Sequence, residues 1–233
     1  SNSGNLNTAR YTLAGAGTQN AAVSFGGNSN STVTEKFNGA SWTASSALNT
    51  GRGELAGAGV MNAALSFGGY TGSVSSVTEK FNGSTWTNVG TPGLTARNNL
   101  AGTGNQNSAI SFGGFNGSNL VTVEKFNGTV WSASGSLNAA IRGLSGSGTT
   151  NNALSFGGYN GSSPVSTTEK FNGSIWLISS NLNTARHSLG GTGSQMSGVS
   201  FGGNTGSVSA VTEKFNTEFT IPYTGAIVGK VKY

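Results

Sequence analysis

The chain has 233 residues. Gly (39), Ser (34), Thr (27) and Asn (27) make up more than half of it, and only 8% are charged, about a third of the usual share for a soluble domain. The formal charge is +5, Asp and Cys are absent and His occurs once, at His187, so the groups from which catalytic and metal sites are built are nearly missing. That inventory speaks against an enzyme, a metal centre or a bound cofactor. Hydrophobic residues still amount to 34%, and they recur at fixed places, which a disordered low-complexity chain has no reason to do.

In chain order, Ser1 to Arg10 (SNSGNLNTAR) has neither the basic start nor the apolar stretch of a signal peptide. It reads as the end of a strand and a linker, so more polypeptide is expected before it. A repeat follows. Phe-Gly-Gly falls at Phe25, Phe67, Phe112, Phe156 and Phe201, at spacings of 42, 45, 44 and 45 residues. Glu-Lys-Phe begins at Glu35, Glu79, Glu124, Glu169 and Glu213; Trp stands at 42, 86, 131 and 176, with Phe219 in the fifth place; Arg falls at Arg10, Arg52, Arg97, Arg142 and Arg186. Five copies are predicted, over about 6–47, 48–92, 93–136, 137–181 and 182–222. The irregular 223–233 is left as an extension or linker strand.

Within the third copy four short strands are predicted: Leu100 to Gly104 (LAGTG), Ala109 to Gly114 (AISFGG), Val121 to Phe126 (VTVEKF) and Thr129 to Ser134 (TVWSAS). Ile110 and Phe112 share one face of a strand, and Val77, Glu79 and Phe81 share another in the second copy. Asn-Gly at Asn38, Asn82, Asn127 and Asn172 predicts tight type I′ hairpins. No segment carries a helical period. Four antiparallel strands per repeat and five repeats define an all-β chain, a five-bladed β-propeller. The small residues of the first strands (LAGAG, LAGTG, LSGSG, LGGTG) suit crowding at its axis. Ring closure is expected from packing of blade five on blade one rather than from a strand exchanged between the termini.

A double Gly ending the second strand, then Glu, an aromatic, a tight turn and Trp, then Arg before the next first strand, resembles the kelch repeat over about 220 residues. The chain departs from it in having Phe for the usual Tyr and a shorter hairpin before Trp86. The SFGG, TEKFNG and W wording is also similar to tandem repeats of tailed-bacteriophage virion proteins. That resemblance implies a location on a virion surface, or otherwise an extracellular one.

The recurring Glu and Arg are expected to form structural ion pairs within or between blades, since a semi-buried Glu needs a partner. Arg97, opening the next blade, is placed to reach Glu79, and the Lys80 ammonium is expected in water. His187, unmatched in the other copies, reads as a surface residue. The residue after Phe-Gly-Gly varies (Asn28, Tyr70, Phe115, Tyr159, Asn204), and variation on a loop of a strict scaffold marks candidate ligand-binding positions. Asn116, Asn160 and Thr71 could bond sugar hydroxyls there. Positive charges spread singly along the repeats and paired with Glu, with about one extra positive charge per repeat, argue against nucleic acid, and no apolar run approaches the ~20 residues of a membrane span. The expected function is a non-catalytic structural or adhesion module of a phage appendage or capsid decoration. Its expected partners are other virion proteins, further copies of the chain or host-surface glycans held by avidity. A free secreted five-bladed lectin is the alternative.

Overall fold

In a computed structural model, which describes residues 4–28, 30–90 and 93–216, the regular elements among the described residues are all β-strands. The first blade holds β1 (Ala14–Thr18), β2 (Ala21–Phe25), β3 (Thr34–Phe37) and β4 (Trp42–Ser45). The second holds β5 (Ala56–Val60), β6 (Ala63–Phe67), β7 (Thr78–Phe81) and β8 (Trp86–Asn88), and the third β9 (Ala101–Asn105), β10 (Ser108–Phe112), β11 (Val123–Phe126) and β12 (Trp131–Ala133). In the fourth are β13 (Ser145–Thr149), β14 (Asn152–Phe156), β15 (Thr168–Phe171) and β16 (Trp176–Ile178). The fifth shows β17 (Gly190–Gly193), β18 (Ser197–Phe201) and β19 (Thr212–Asn216); its expected fourth strand around Phe219, and 223–233, lie outside the described residues. Each blade is its own antiparallel sheet with strands paired in chain order, and the five together form a five-bladed β-propeller.

The inner strands β1, β5, β9, β13 and β17 line the central channel. Their glycines answer to two neighbours at once. A Cβ on Gly57 would stand 2.7 Å from Phe25 Cζ of the first blade and 2.8 Å from the Gly15 carbonyl oxygen. Phe67, Phe112 and Phe156 press in the same way on Gly102, Gly146 and Gly191 of the blades that follow.

Aromatic rings fill the wedge between blades. Trp86 packs against Phe81 of its own hairpin and Phe25 of the preceding blade, both at 4.9 Å between ring centres. Trp131 repeats this with Phe126 and Phe67, and Trp176 with Phe171 and Phe112. Such pairs contribute about 0.5–1.5 kcal/mol each beyond the area they bury. Trp86 and Trp131 also donate from Nε1 to Thr34 Oγ1 and Thr78 Oγ1 of the preceding blade, at 3.0 Å in both cases. Trp176 has no such partner, because Val123 stands where its threonine would be, and its Nε1 is left buried without a hydrogen bond.

Three expectations change. Only the Gly of each Asn-Gly pair takes positive φ (94, 94, 97 and 99° at Gly39, Gly83, Gly128 and Gly173), so these are not type I′ turns. They are four-residue loops in which Asn Oδ1 accepts backbone N–H bonds from two and three residues on, as Asn82 does from Ser84 and Thr85. The Lys80 ammonium, expected in water, donates to Asn107 Oδ1 (2.7 Å) and Gly128 O (2.8 Å) of the next blade and stands over the Phe126 ring. Finally, among the described residues the seam between blades five and one lacks the packing of the other four. Neighbouring inner strands lie close together except β17 and β1. Phe201 is 46% exposed and turns over Gly190 of its own blade instead of reaching the next, while among the described residues Trp42 has an aromatic partner only in its own Phe37.

Candidate functional site

The repeated Arg works behind the site, inside its own blade. Arg52 Nη1 donates to the carbonyls of Gly68 and Val77, and Nη2 to Ser66 Oγ (2.6 Å) and Glu79 Oε1 (2.9 Å), both residues being adjacent across the β6–β7 ladder. The partner of Glu79 is thus Arg52 of the same repeat, and Arg97 pairs instead with Glu124. Arg10 with Glu35 and Arg186 with Glu213 complete four buried ion pairs. Burial pulls Arg52 and Arg97 below the ordinary arginine value, against the opposing effect of Glu79 and Glu124, and both stay charged at neutral pH. Arg10, Arg52 and Arg186 also donate to the carbonyl of the first Gly of the Phe-Gly-Gly turn (Gly26, Gly68 and Gly202) and so hold the rim of the propeller.

In the fourth blade the expected pair of Arg142 with Glu169 does not form. The other arginines stand three residues before the leucine that opens the inner strand; Arg142 stands two before Leu144, and Ile141 fills the arginine's place. The backbone bears this out. Gly114 N donates to Ile141 O as Gly69 N does to Arg97 O and Gly158 N to Arg186 O. Glu169, 3% exposed, takes its hydrogen bonds from Asn138 N (3.1 Å) and Asn138 Nδ2 (2.7 Å).

The turn delivers the residue after Phe-Gly-Gly to the channel mouth, and there it meets a second variable residue. Tyr70 and Gly53 exchange two backbone hydrogen bonds, as do Phe115 with Asn98, Tyr159 with Arg142, and Asn204 with His187. In the first blade Asn28 N donates to Tyr11 O and Tyr11 N to Asn28 Oδ1, both at 3.0 Å. The five positions expected to bind ligand are therefore one member of five pairs. Their partners Tyr11, Gly53, Asn98, Arg142 and His187 were legible only as the variable letter two places before the inner-strand leucine.

Next to each pair is a residue with positive φ: Thr12 (51°), Glu54 (54°), Asn99 (50°), Gly143 (60°) and Ser188 (52°). For the four that are not glycine this costs on the order of 1 kcal/mol each. The conformation lets the backbones join around the axis: Glu54 N donates to Thr12 O, Asn99 N to Glu54 O, Gly143 N to Asn99 O and Ser188 N to Gly143 O, at 2.7–3.0 Å. Among the described residues no such bond links Thr12 to Ser188, at the loose seam. Inside the ring lies a depression of about 470 Å³.

The mouth is not symmetric. Glu54 Oε2 accepts from Asn98 Nδ2 (2.7 Å) and Asn99 Nδ2 (2.8 Å) on one side. On the other, Tyr159 meets the His187 ring edge-on at 5.4 Å. Burial first, and the Arg142 charge second, hold His187 below its ordinary pKa, so it is neutral at pH 7. Tyr70, Phe115, Tyr159, Asn204 and His187 are half-buried, and Asn28 is exposed. No group of three or more His or Glu side chains gathers among the described residues. The sequence matches no protein-family model and no curated protein.

Proposed function

We propose that the chain is a non-catalytic adhesion module, a kelch-like propeller displayed on a phage virion as an appendage or capsid decoration, which holds host-surface glycans through several weak contacts. The observation that carries this reading is the ring of paired variable residues at one mouth of an otherwise strict scaffold. Strict positions build the blades, whereas differences between copies gather where side chains meet solvent. Half-buried Tyr70, Phe115 and Tyr159 offer ring faces for sugars, and the adjacent Asn and Ser side chains offer hydrogen bonds. Backbone outside the ordinary φ range, concentrated in the same ring, is strain of the kind found at ligand clamps. Weak sites multiplied over a virion's many copies give useful avidity.

A broad glycan array, probed with the chain and with a Tyr70→Ala, Phe115→Ala, Tyr159→Ala triple variant, tests the reading. Glycan binding that the triple variant loses is the expected result. Silence of the unaltered chain, or binding indifferent to the three substitutions, would remove the glycan role and leave a structural propeller.

A further inference from the structure

Arg142 differs from the other arginines in what its guanidinium touches. Arg10, Arg52, Arg97 and Arg186 spend their Nη donors on carbonyl oxygens, a serine hydroxyl and a glutamate. The Arg142 Cζ stands 4.7 Å from the centre of the Phe115 ring and 5.2 Å from that of Tyr159. Among the described residues its side chain has no carboxylate within ion-pair distance and donates no hydrogen bond. A guanidinium carries five N–H donors in one plane, and contact with the faces of two aromatic rings leaves those donors unspent. The group is half-buried at the wall of a depression of about 440 Å³, shared with Asn99, Gly143, Tyr159, His187 and Ser188, so that blades three, four and five all contribute.

The one-residue shift in the fourth repeat has two effects. It deprives buried Glu169 of a cation, and it brings a cation without an anion to the mouth. Local rules broken without a structural gain are the places where function is to be sought.

We propose that this depression is a subsite for an oxyanion borne on a sugar: a carboxylate or sulfate accepts two N–H bonds from Arg142, and the sugar ring lies along Tyr159. A guanidinium fork matches either oxyanion with two parallel bonds. The Asn99 amide is turned by its bond to Glu54, which leaves Asn99 Oδ1 to accept from a sugar hydroxyl, and Ser188 lines the same depression and is exposed. The volume lies within the roughly 300–1,000 Å³ of small-ligand pockets. The inference rests on the glycan-binding reading and narrows it to acidic glycans, with the subsite held at one sector of the ring.

Calorimetric titration of the intact chain with methyl β-glucuronide, glucose 6-sulfate, methyl β-glucoside and inorganic sulfate separates the possibilities. Either or both of the charged sugars should bind at least about tenfold more tightly than the glucoside and than sulfate alone. Arg142→Gln should abolish that preference, with Arg142→Lys intermediate because it keeps the charge and loses the fork. Thermal unfolding of Arg142→Gln that stays cooperative and drops only by the small amount expected from losing the Phe115 and Tyr159 ring contacts would show that the loss is local. Equal binding of the glucoside, equal binding of inorganic sulfate, or a preference that survives Arg142→Gln would each overturn the subsite. Neutral glycans bound on the array and unaffected by Arg142→Gln would leave the adhesion reading standing without it. Array silence beside titration that depends on Arg142 would do the reverse.

Discussion

Arg52 Nη2 and Glu79 Oε1 stand 2.9 Å apart with both side chains fully buried, whereas the equivalent glutamate of the fourth blade, Glu169, has Ile141 where its arginine would be. The two glutamates form an internal control. Glu79→Gln leaves a buried guanidinium without its counter-charge, a loss of about 3 kcal/mol or more. Glu169→Gln strands no cation, and the amide oxygen still accepts from Asn138, so its effect should stay below about 1 kcal/mol. Urea denaturation of both variants measures the difference. Equal costs would show that Glu169 has a charged partner after all.

The Trp–Thr bond between blades offers a second comparison. Thr78→Val removes the acceptor of Trp131 Nε1 and buries an unpaired indole N–H, which costs about 1–3 kcal/mol. Val123→Thr does the opposite for Trp176, whose Nε1 is already unpaired, and should stabilise by about 0.5–1.5 kcal/mol at nearly constant volume. Thermal unfolding of the two variants should therefore move in opposite directions. A Val123→Thr protein that melts lower than its parent would contradict this account of the fourth blade.

The propeller was legible because each blade repeats its instructions: Phe-Gly-Gly, Glu-Lys-Phe and Trp fix three strands and the packing between neighbours, and Gly and Ala fix the inner one. Half of the mouth was legible too, as variation after Phe-Gly-Gly. The other half was hidden because its residues follow a repeated Arg, and matching Arg letters aligned Arg142 with a position it does not occupy. Spacing to the following leucine carries the true register, since that leucine enters the core (Leu55, Leu100 and Leu144 are buried) and cannot shift by one residue. The Lys80 clamp and the loose seam were not legible in one repeat because each depends on how a blade meets the next.

Crowding at the axis predicts a graded response to glycine substitution. Gly57→Ala adds a methyl group against Phe25 Cζ and against the Gly15 carbonyl oxygen, a backbone atom held in the adjacent inner strand, and should cost about 1–3 kcal/mol. Gly90→Ala meets nothing within 4 Å at an ordinary φ and should be neutral within about 0.5 kcal/mol. Equal melting temperatures for both variants would mean that the inner strands are looser than this geometry allows.

Acid should weaken the first blade through Glu35. Burial alone would raise its pKa, but backbone N–H bonds from Asn7 and Thr8, the hydrogen bond from Arg10 and the Arg10 charge together hold it below its ordinary value of 4.5. The folded chain therefore keeps Glu35 ionised to lower pH than the unfolded chain does. Between the two values the unfolded state binds more protons, so the stabilisation is complete above about pH 4.5 and is lost as pH falls through the folded value. Glu35→Gln removes this titration and exposes its sign. Denaturation midpoints measured from pH 7 down to 3 should show the parent more stable at neutral pH, with its advantage over the variant shrinking below about pH 4.5. An advantage that held constant or grew toward acid would mean that the Asn7, Thr8 and Arg10 bonds do not favour the ionised carboxylate.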